Sequence, residues 1–391
     1  QDLTKEGRPS GKVVQMATHN NGYKDIKVND RNRRKTPRDV EIAGSFIDKG
    51  KKSEKITRPP TVSETRANNN AKKELAEIFG EIDNWIPIFK KDLEEINRGK
   101  VGVPFKFSDS MIWWILCVMT AMNADFRFIS GLVAGIFQQF GLESPSYSRL
   151  NERCNEIIGK ILKKNETPEE GYADGVLAVH VCNNVIGRGR RAGIDSSGIN
   201  LSNTNLWRTR KWKTSPKYKG WLVLHALCDI DSGEILAYAV TDETVGDVRM
   251  LKIIVEAAMK KGHVINVLYA DGAYSSNGNW IFLSRENKIE FVTSFRSDTR
   301  PKNNGCNARG DAARLWCSLP YDEWVEVSGY GMRWKCECVF SDFKRIFPET
   351  VTASSKKGIL RQIVARIEVF NRYKLTRAGI VGITGNGIPV A

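Results

Sequence analysis

Apolar residues recur three and four positions apart through "KKELAEIFGEIDNWIPIFKKDLEEI" (72–96), the period of an amphipathic helix. The denser run "MIWWILCVMTAM" (111–122) falls short of the ~20 residues that cross a bilayer. It reads as a buried core helix, with Asp109 placed to cap it. Two more helical stretches fill 126–162, divided by Gly141 and the Ser144-Pro145 punctuation. After Lys164 the period changes. "RAGIDSSGI" (191–199) reads as a short strand ending on Asp195, and "GWLVLHALCDIDSGEILAYAVTD" (220–242) as two strands joined at Asp231-Ser232-Gly233, a hairpin signal. "VGDVRMLKIIVEAAMKKG" (245–262) predicts a helix with Val248, Leu251, Val255 and Ala258 on one side and Gly262 at its end. "VINVLYADGAY" predicts a buried strand terminating on Asp271; a helix and another strand, "IEFVTSF", follow. Strands and helices in this order predict an α/β domain whose helices cover a mixed sheet.

The ends of the chain lack such periodicity. Residues 1–70 are polar and carry 16 Lys or Arg against 9 Asp or Glu, with "RNRRKTPR" (31–38) as a basic centre. Such a segment buries too little apolar surface to fold alone, so it is expected to be a disordered basic leader. Four regions follow: the leader 1–70, a helical region 71–165, an α/β domain 166–374, and a flexible Gly-rich tail 375–391. Two helices across a Gly-containing turn suit a helix-turn-helix-like DNA-binding unit, which would set Ser146, Tyr147 and Arg149 against a DNA backbone. An ordinary helical bundle gives the same pattern.

The net charge of +15 points to a polyanionic partner, although a basic balance also serves solubility. The segment "WRTRKWKTSPKYKGW" (207–221) mixes Arg208, Arg210, Lys211, Lys213, Lys217 and Lys219 with four aromatics, a composition suited to DNA backbone and flipped-base contacts. No apolar run in the first 20 residues resembles a secretion signal, so the eight cysteines are expected to be reduced thiols in the cytoplasm. A zinc site from Cys306, Cys317, Cys336 and Cys338 would match no common ligand spacing.

Asp195 in "GIDSSG" and Asp271 in "YADGAY" stand at predicted strand ends, where α/β sheets collect ligands. YADG also occurs at 172–175, but after a polar loop, so Asp174 reads as a loop residue. Asp247, at the start of a helix, reads as structural, since negative charge is stabilising there. In "GYGMRWKCECVFSDFKRIF" (329–347), Tyr330, Arg333, Glu337 and Lys344 are 3, 4 and 7 residues apart, which sets them on one face of a helix. Cys336 and Cys338 diverge from that face and read as packing. A solvated ion-pair stripe would give the same spacing.

The series Tyr330-x2-Arg333-x3-Glu337-x6-Lys344 resembles the tyrosine-arginine-glutamate-lysine block of bacterial and archaeal insertion-sequence transposases of the DDE type. "GIDSSG", "YADGAY", the segment between them and "LRQIVARIEVFNRY" (360–373) are similar to further blocks of that family, in order, over roughly residues 110–373. The leader has no counterpart in the resemblance. The resemblance implies a ribonuclease-H-like catalytic domain in which Asp195, Asp271 and Glu337 bind two Mg²⁺ ions, with Mn²⁺ as a substitute. It implies hydrolysis of a phosphodiester at element ends and transfer of the 3′-hydroxyl into target DNA. Arg333 and Lys344 would neutralise phosphates, and Tyr330 would hydrogen-bond one or stack on an unpaired base. The expected partner is double-stranded DNA, bound by a homodimer at the nucleoid of a prokaryote. A non-catalytic DNA-binding derivative and a stand-alone metal-dependent nuclease are the competing readings.

Overall fold

The computed structural model describes residues 62–164, 175–182, 189–202 and 221–379. The helical region begins earlier than its sequence suggests: α1 spans Val62–Gly80, so the last residues assigned to the leader are helical. It is followed by α2 (Ile86–Asn97), α3 (Asp109–Met122), α4 (Phe126–Gln139) and α5 (Tyr147–Lys164). The N-cap of α3 is Ser108, whose hydroxyl accepts from Met111 N–H; Asp109 instead pairs with Arg153 (2.5 Å) and Lys160 (2.6 Å) of α5. The carboxylate therefore clamps two helices. α3 is buried nearly all round, as its composition required, and no described helix is long and apolar enough to cross a membrane.

Strands β1 (Val176–Val181), β2 (Gly189–Leu201), β3 (Leu222–Asp229), β4 (Ile235–Asp242), β5 (Val264–Ala270) and β6 (Glu290–Thr293) form a mixed sheet in the order β1-β4-β3-β2-β5-β6. β1, β4, β3 and β2 pair antiparallel, whereas β2, β5 and β6 run parallel. The short β7 (Thr350–Val351) pairs with the end of β2. The turn at Asp231-Ser232-Gly233 closes the predicted hairpin, with Gly233 at φ +75°, a conformation other residues rarely adopt.

Helix α6 (Asp247–Lys260) covers one face of the sheet, burying Met250, Leu251, Ile254, Val255 and Ala258. Leu251, Val255 and Ala258 face inward as predicted, while Val248 is exposed and the stripe begins at Met250. The strand–helix segment after β5 continues through α7 (Asn277–Trp280), a π turn, α8 (Asn307–Ser318) and α9 (Tyr321–Ser328). The other face is covered by α10 (Trp334–Ile346) and α11 (Lys356–Arg377).

The helical region is not a separate body. Side chains of α1, α3 and α5, including Leu75, Trp114, Leu150 and Ile157, join Phe343, Ile363 and Phe370 in one core that continues onto Leu224, Ala226 and Tyr238 of the sheet. A second core lies on the α6 face. The protein is thus a sheet between two helical layers, with the N-terminal helices stacked outside α11.

Candidate active site

Strand β2 runs through the sheet centre, and alternation decides what each residue faces. Ala192 and Ile194 point to the α6 side; Gly193, Asp195 and Ser197 point to the α10 side. Asp195 therefore sits within a thirteen-residue strand, not at its end as the sequence suggested. The strand continues because Asp195, Ser197 and Ile199 still pair with Ala226, Leu224 and Leu222 of β3. The parallel partner β5 stops sooner. Ile194 aligns with Ala270, so Asp271 emerges beside Asp195 where the parallel half of the sheet opens.

Glu337 is brought over these aspartates by Gly193. A Cβ on Gly193 would lie 3.0 Å from the Cβ of Cys336, so the missing side chain lets α10 rest directly on β2. Cys336 is fully buried in that contact, and its neighbour Glu337 projects at the edge, 44% exposed. A glycine inside an apolar strand was the available signal for this close approach, and sequence reasoning passed over it.

Each acid is held by local geometry. Ser196 N–H donates to Asp195 Oδ1 (2.8 Å), Gly272 N–H to Asp271 Oδ1 (2.7 Å), and Arg333 pairs with Glu337 Oε1. Burial pushes the Asp195 carboxyl above the usual carboxylate range; Ser196 N–H and Arg333 oppose the rise, while Glu337 and Asp271 add to it. Burial also works against the Arg333 charge, yet Tyr330, Glu337 and Asp271 together raise its pKa. These mutual influences mark the three carboxylates and the guanidinium as one electrostatic cluster. The ligand oxygens of the three acids do not all lie within 4.8 Å of one another. Three carboxylates are a hard-oxygen donor set of the kind that suits Mg²⁺ or Mn²⁺.

The remaining residues of the block divide. Tyr330 to Arg333 form a 3₁₀ turn, and the α-helix begins only at Trp334, so the four residues do not lie along one continuous α-helix. Tyr330 is buried against Trp324 (ring centroids 4.9 Å), and its hydroxyl lies 3.3 Å from Ser294 Oγ beside Gly272. The two rings meet at 45°, and the Tyr330 hydroxyl braces the β5 and β6 ends. Lys344 lies two turns beyond Glu337, beside Ser197 and Gly198, and pairs with Glu349 (3.2 Å). It extends the groove without touching the acids.

At the helical region, Ser146 Oγ accepts from Arg149 N–H (3.3 Å) and so caps α5. Tyr147 is exposed under the guanidinium of Arg127 (4.4 Å), and Arg149 pairs with Glu152 (3.1 Å). Arg208, Arg210, Lys211, Lys213, Lys217, Lys219 and Asp174 lie outside the described residues. The four cysteines weighed as zinc ligands have separate surroundings: Cys306 faces Trp280 O, Cys317 is exposed by Thr299 O, Cys336 is buried between α10 and Gly193 of β2, and Cys338 is half-buried on α10. Asp247 opens α6, with Oδ1 3.2 Å from His225 Nδ1, a contact that depresses its carboxyl pKa.

Residues 189–368 match the family model described as the transposase DDE domain. The match opens at the first residue of β2 and closes within α11, so it encloses Asp195, Asp271, Glu337 and the sheet that carries them. With this match the mixed sheet flanked by helices is a ribonuclease-H-like fold, and the match supports a DDE-type transposase. No curated protein matches the chain.

Proposed function

We propose that the protein binds the ends of a mobile DNA element, hydrolyses a phosphodiester there, and transfers the freed 3′-hydroxyl to target DNA. The carrying observation is the gathering of Asp195, Asp271, Glu337 and Arg333 into one cluster at the opening of the sheet. Asp195, Asp271 and Glu337 would hold two Mg²⁺, or Mn²⁺ in their place. When bound, the ions supply Lewis-acid stabilisation of the attacking and leaving oxygens. Arg333 releases Glu337 to that role and turns its fork toward the substrate phosphate, a geometry it matches with two hydrogen bonds. Tyr330 positions the acids from behind through Ser294, and Lys344 follows the DNA backbone along the groove.

In this reading the basic leader and the 207–221 segment contact DNA, and Ser146, Tyr147 and Arg149 meet its backbone at the start of α5. Two copies pair two ends as a homodimer, at the nucleoid of a prokaryotic cell. The test uses the full chain with Mg²⁺ or Mn²⁺, duplexes carrying the DNA that flanks its own gene, and a plasmid target. Covalent joining of the 3′ ends to the plasmid, lost in Asp195→Asn with end binding retained, is expected. Nicking without joining would mean a nuclease, and binding without either would mean a non-catalytic derivative; each overturns the proposal.

A further inference from the structure

A second cluster of ligand-type side chains lies away from the three acids. His180 and Cys182, two residues apart at the end of β1, face the helical layer, where Glu368 of α11 meets them. Their ligand atoms all lie within 4.8 Å of one another, and Glu368 Oε1 is 3.4 Å from His180 Nε2. His180 and Cys182 are each 2% exposed, and the Glu368 side chain 10%. Tyr238, the register partner of His180 on β4, adds a buried hydroxyl with no hydrogen-bond partner among the described residues; its ring centroid is 5.2 Å from that of His180.

A buried carboxylate beside a thiol and a phenol hydroxyl with no partner among the described residues is a costly arrangement for a core. Burial holds the Cys182 thiol well above its ordinary pKa, with Glu368 and Glu234 acting in the same direction, so without a cation the thiol is neutral. A divalent ion reverses that logic by deprotonating a coordinating thiol. One imidazole nitrogen, one thiolate and one carboxylate form a mixed set suited to zinc, and their two negative charges balance Zn²⁺. Tetrahedral zinc needs ligand atoms about 3.3–3.8 Å apart, so side-chain shifts of roughly 1 Å complete the site.

We propose that His180, Cys182 and Glu368 form a structural zinc site that ties the edge strand β1 to α11. The Cys182 thiol proton leaves to solvent on binding, and the fourth position is filled by the Tyr238 hydroxyl or one buried water. The site lies between the outer strand of the catalytic sheet and the layer that carries the N-terminal helices, so its effect is on the stability of that joint and not on the acids of β2 and β5.

The test is zinc content of the purified full chain after zinc incubation and gel filtration, together with Co²⁺ titration followed by ultraviolet and visible absorption. About one zinc per chain and a thiolate-to-cobalt charge-transfer band are expected. Cys182→Ser should abolish the band, Glu368→Gln should weaken cobalt binding at least about tenfold, and Cys317→Ser and Cys338→Ser should leave both signals intact. Should Cys182→Ser fail to fold, the wild-type titration with the two control variants still decides. Wild-type protein that retains less than about a tenth of an equivalent of zinc, or a cobalt band that survives in Cys182→Ser, overturns the site and leaves an ordinary buried His–Glu pair.

Discussion

Strand β2 carries two acid clusters, and they differ in a way that separates holding a fold from doing chemistry. At its start Arg190 pairs with Asp229 (2.7 Å) and with Glu234, all three buried, beside the β3–β4 hairpin. Five residues on, Asp195 gathers Asp271 and Glu337 around Arg333, and Glu337 is almost half exposed. Both clusters raise a carboxyl pKa chiefly by burial, Glu234 in the first and Asp195 in the second. In the first cluster the cation sits between its acids, and all three side chains are at most 10% exposed. Among the described residues the second sets one guanidinium beside three carboxylates, and its Glu337 side chain is open to solvent.

The largest effect should come from the open cluster. Asp195→Asn is expected to reduce strand transfer by roughly a thousandfold or more, the loss of about 4 kcal/mol of charge stabilisation in the transition state. Gel assays of end cleavage and joining measure it, and joining within tenfold of wild type would remove Asp195 from the chemistry. The closed cluster should respond in the opposite currency. Arg190→Met strands two buried acids and should cost about 3–5 kcal/mol of stability, read by denaturant unfolding, while end joining per folded molecule stays near wild type. A large loss of specific activity in that variant would mean the two clusters are coupled.

Gly193 tests the seating of α10. Gly193→Ala puts a methyl 3.0 Å from Cys336 Cβ and should shift Glu337 by a few tenths of an ångström. Joining should fall about tenfold, since small misplacements are magnified in catalysis. Cys336→Gly in the same chain removes the opposing atom and should recover much of the rate, at a helix cost of about 1 kcal/mol. Absence of recovery would argue that the glycine serves the strand alone.

The smallest effects concern pH and temperature. The folded Asp195 carboxyl is raised above its unfolded value, so the folded state binds the proton more tightly. Its contribution to stability is therefore greatest at low pH and is lost as pH rises from the unfolded pKa through the raised folded pKa. Cation binding requires the charged form, so metal-dependent joining should rise with pH across that same upper limb. Without divalent metal at neutral pH, Asp195→Asn should melt about 1–3 °C above wild type. A lower melting temperature would mean the carboxylate supports the fold.

Several features were legible from residue order because they depend on local geometry. The 231–233 turn, the α6 helix and the ending of β5 before Asp271 follow from turn chemistry and period, and they appear as read. Misreadings arose where a distant partner intervened. Asp195 looked like a strand end because Ser-Ser-Gly follows it, yet β3 continues to pair with those residues. Asp109 looked like a cap, but Arg153 and Lys160 from α5 claim it.

The sequence by itself determined the donors: which acids, which basic partners, and the alternation that sends Asp195 to one face of its strand. Only the tertiary structure decided their neighbours. The parallel pairing of β2 with β5 sets Asp271 beside Asp195, and the bare backbone at Gly193 admits α10 closely enough to bring Glu337 over them. Contacts between residues 76 and 66 positions apart depend on how sheet and helix pack, which no local pattern specifies. The same holds for His180 and Cys182, which lie 188 and 186 positions before Glu368 along the chain and meet it through one strand–helix contact.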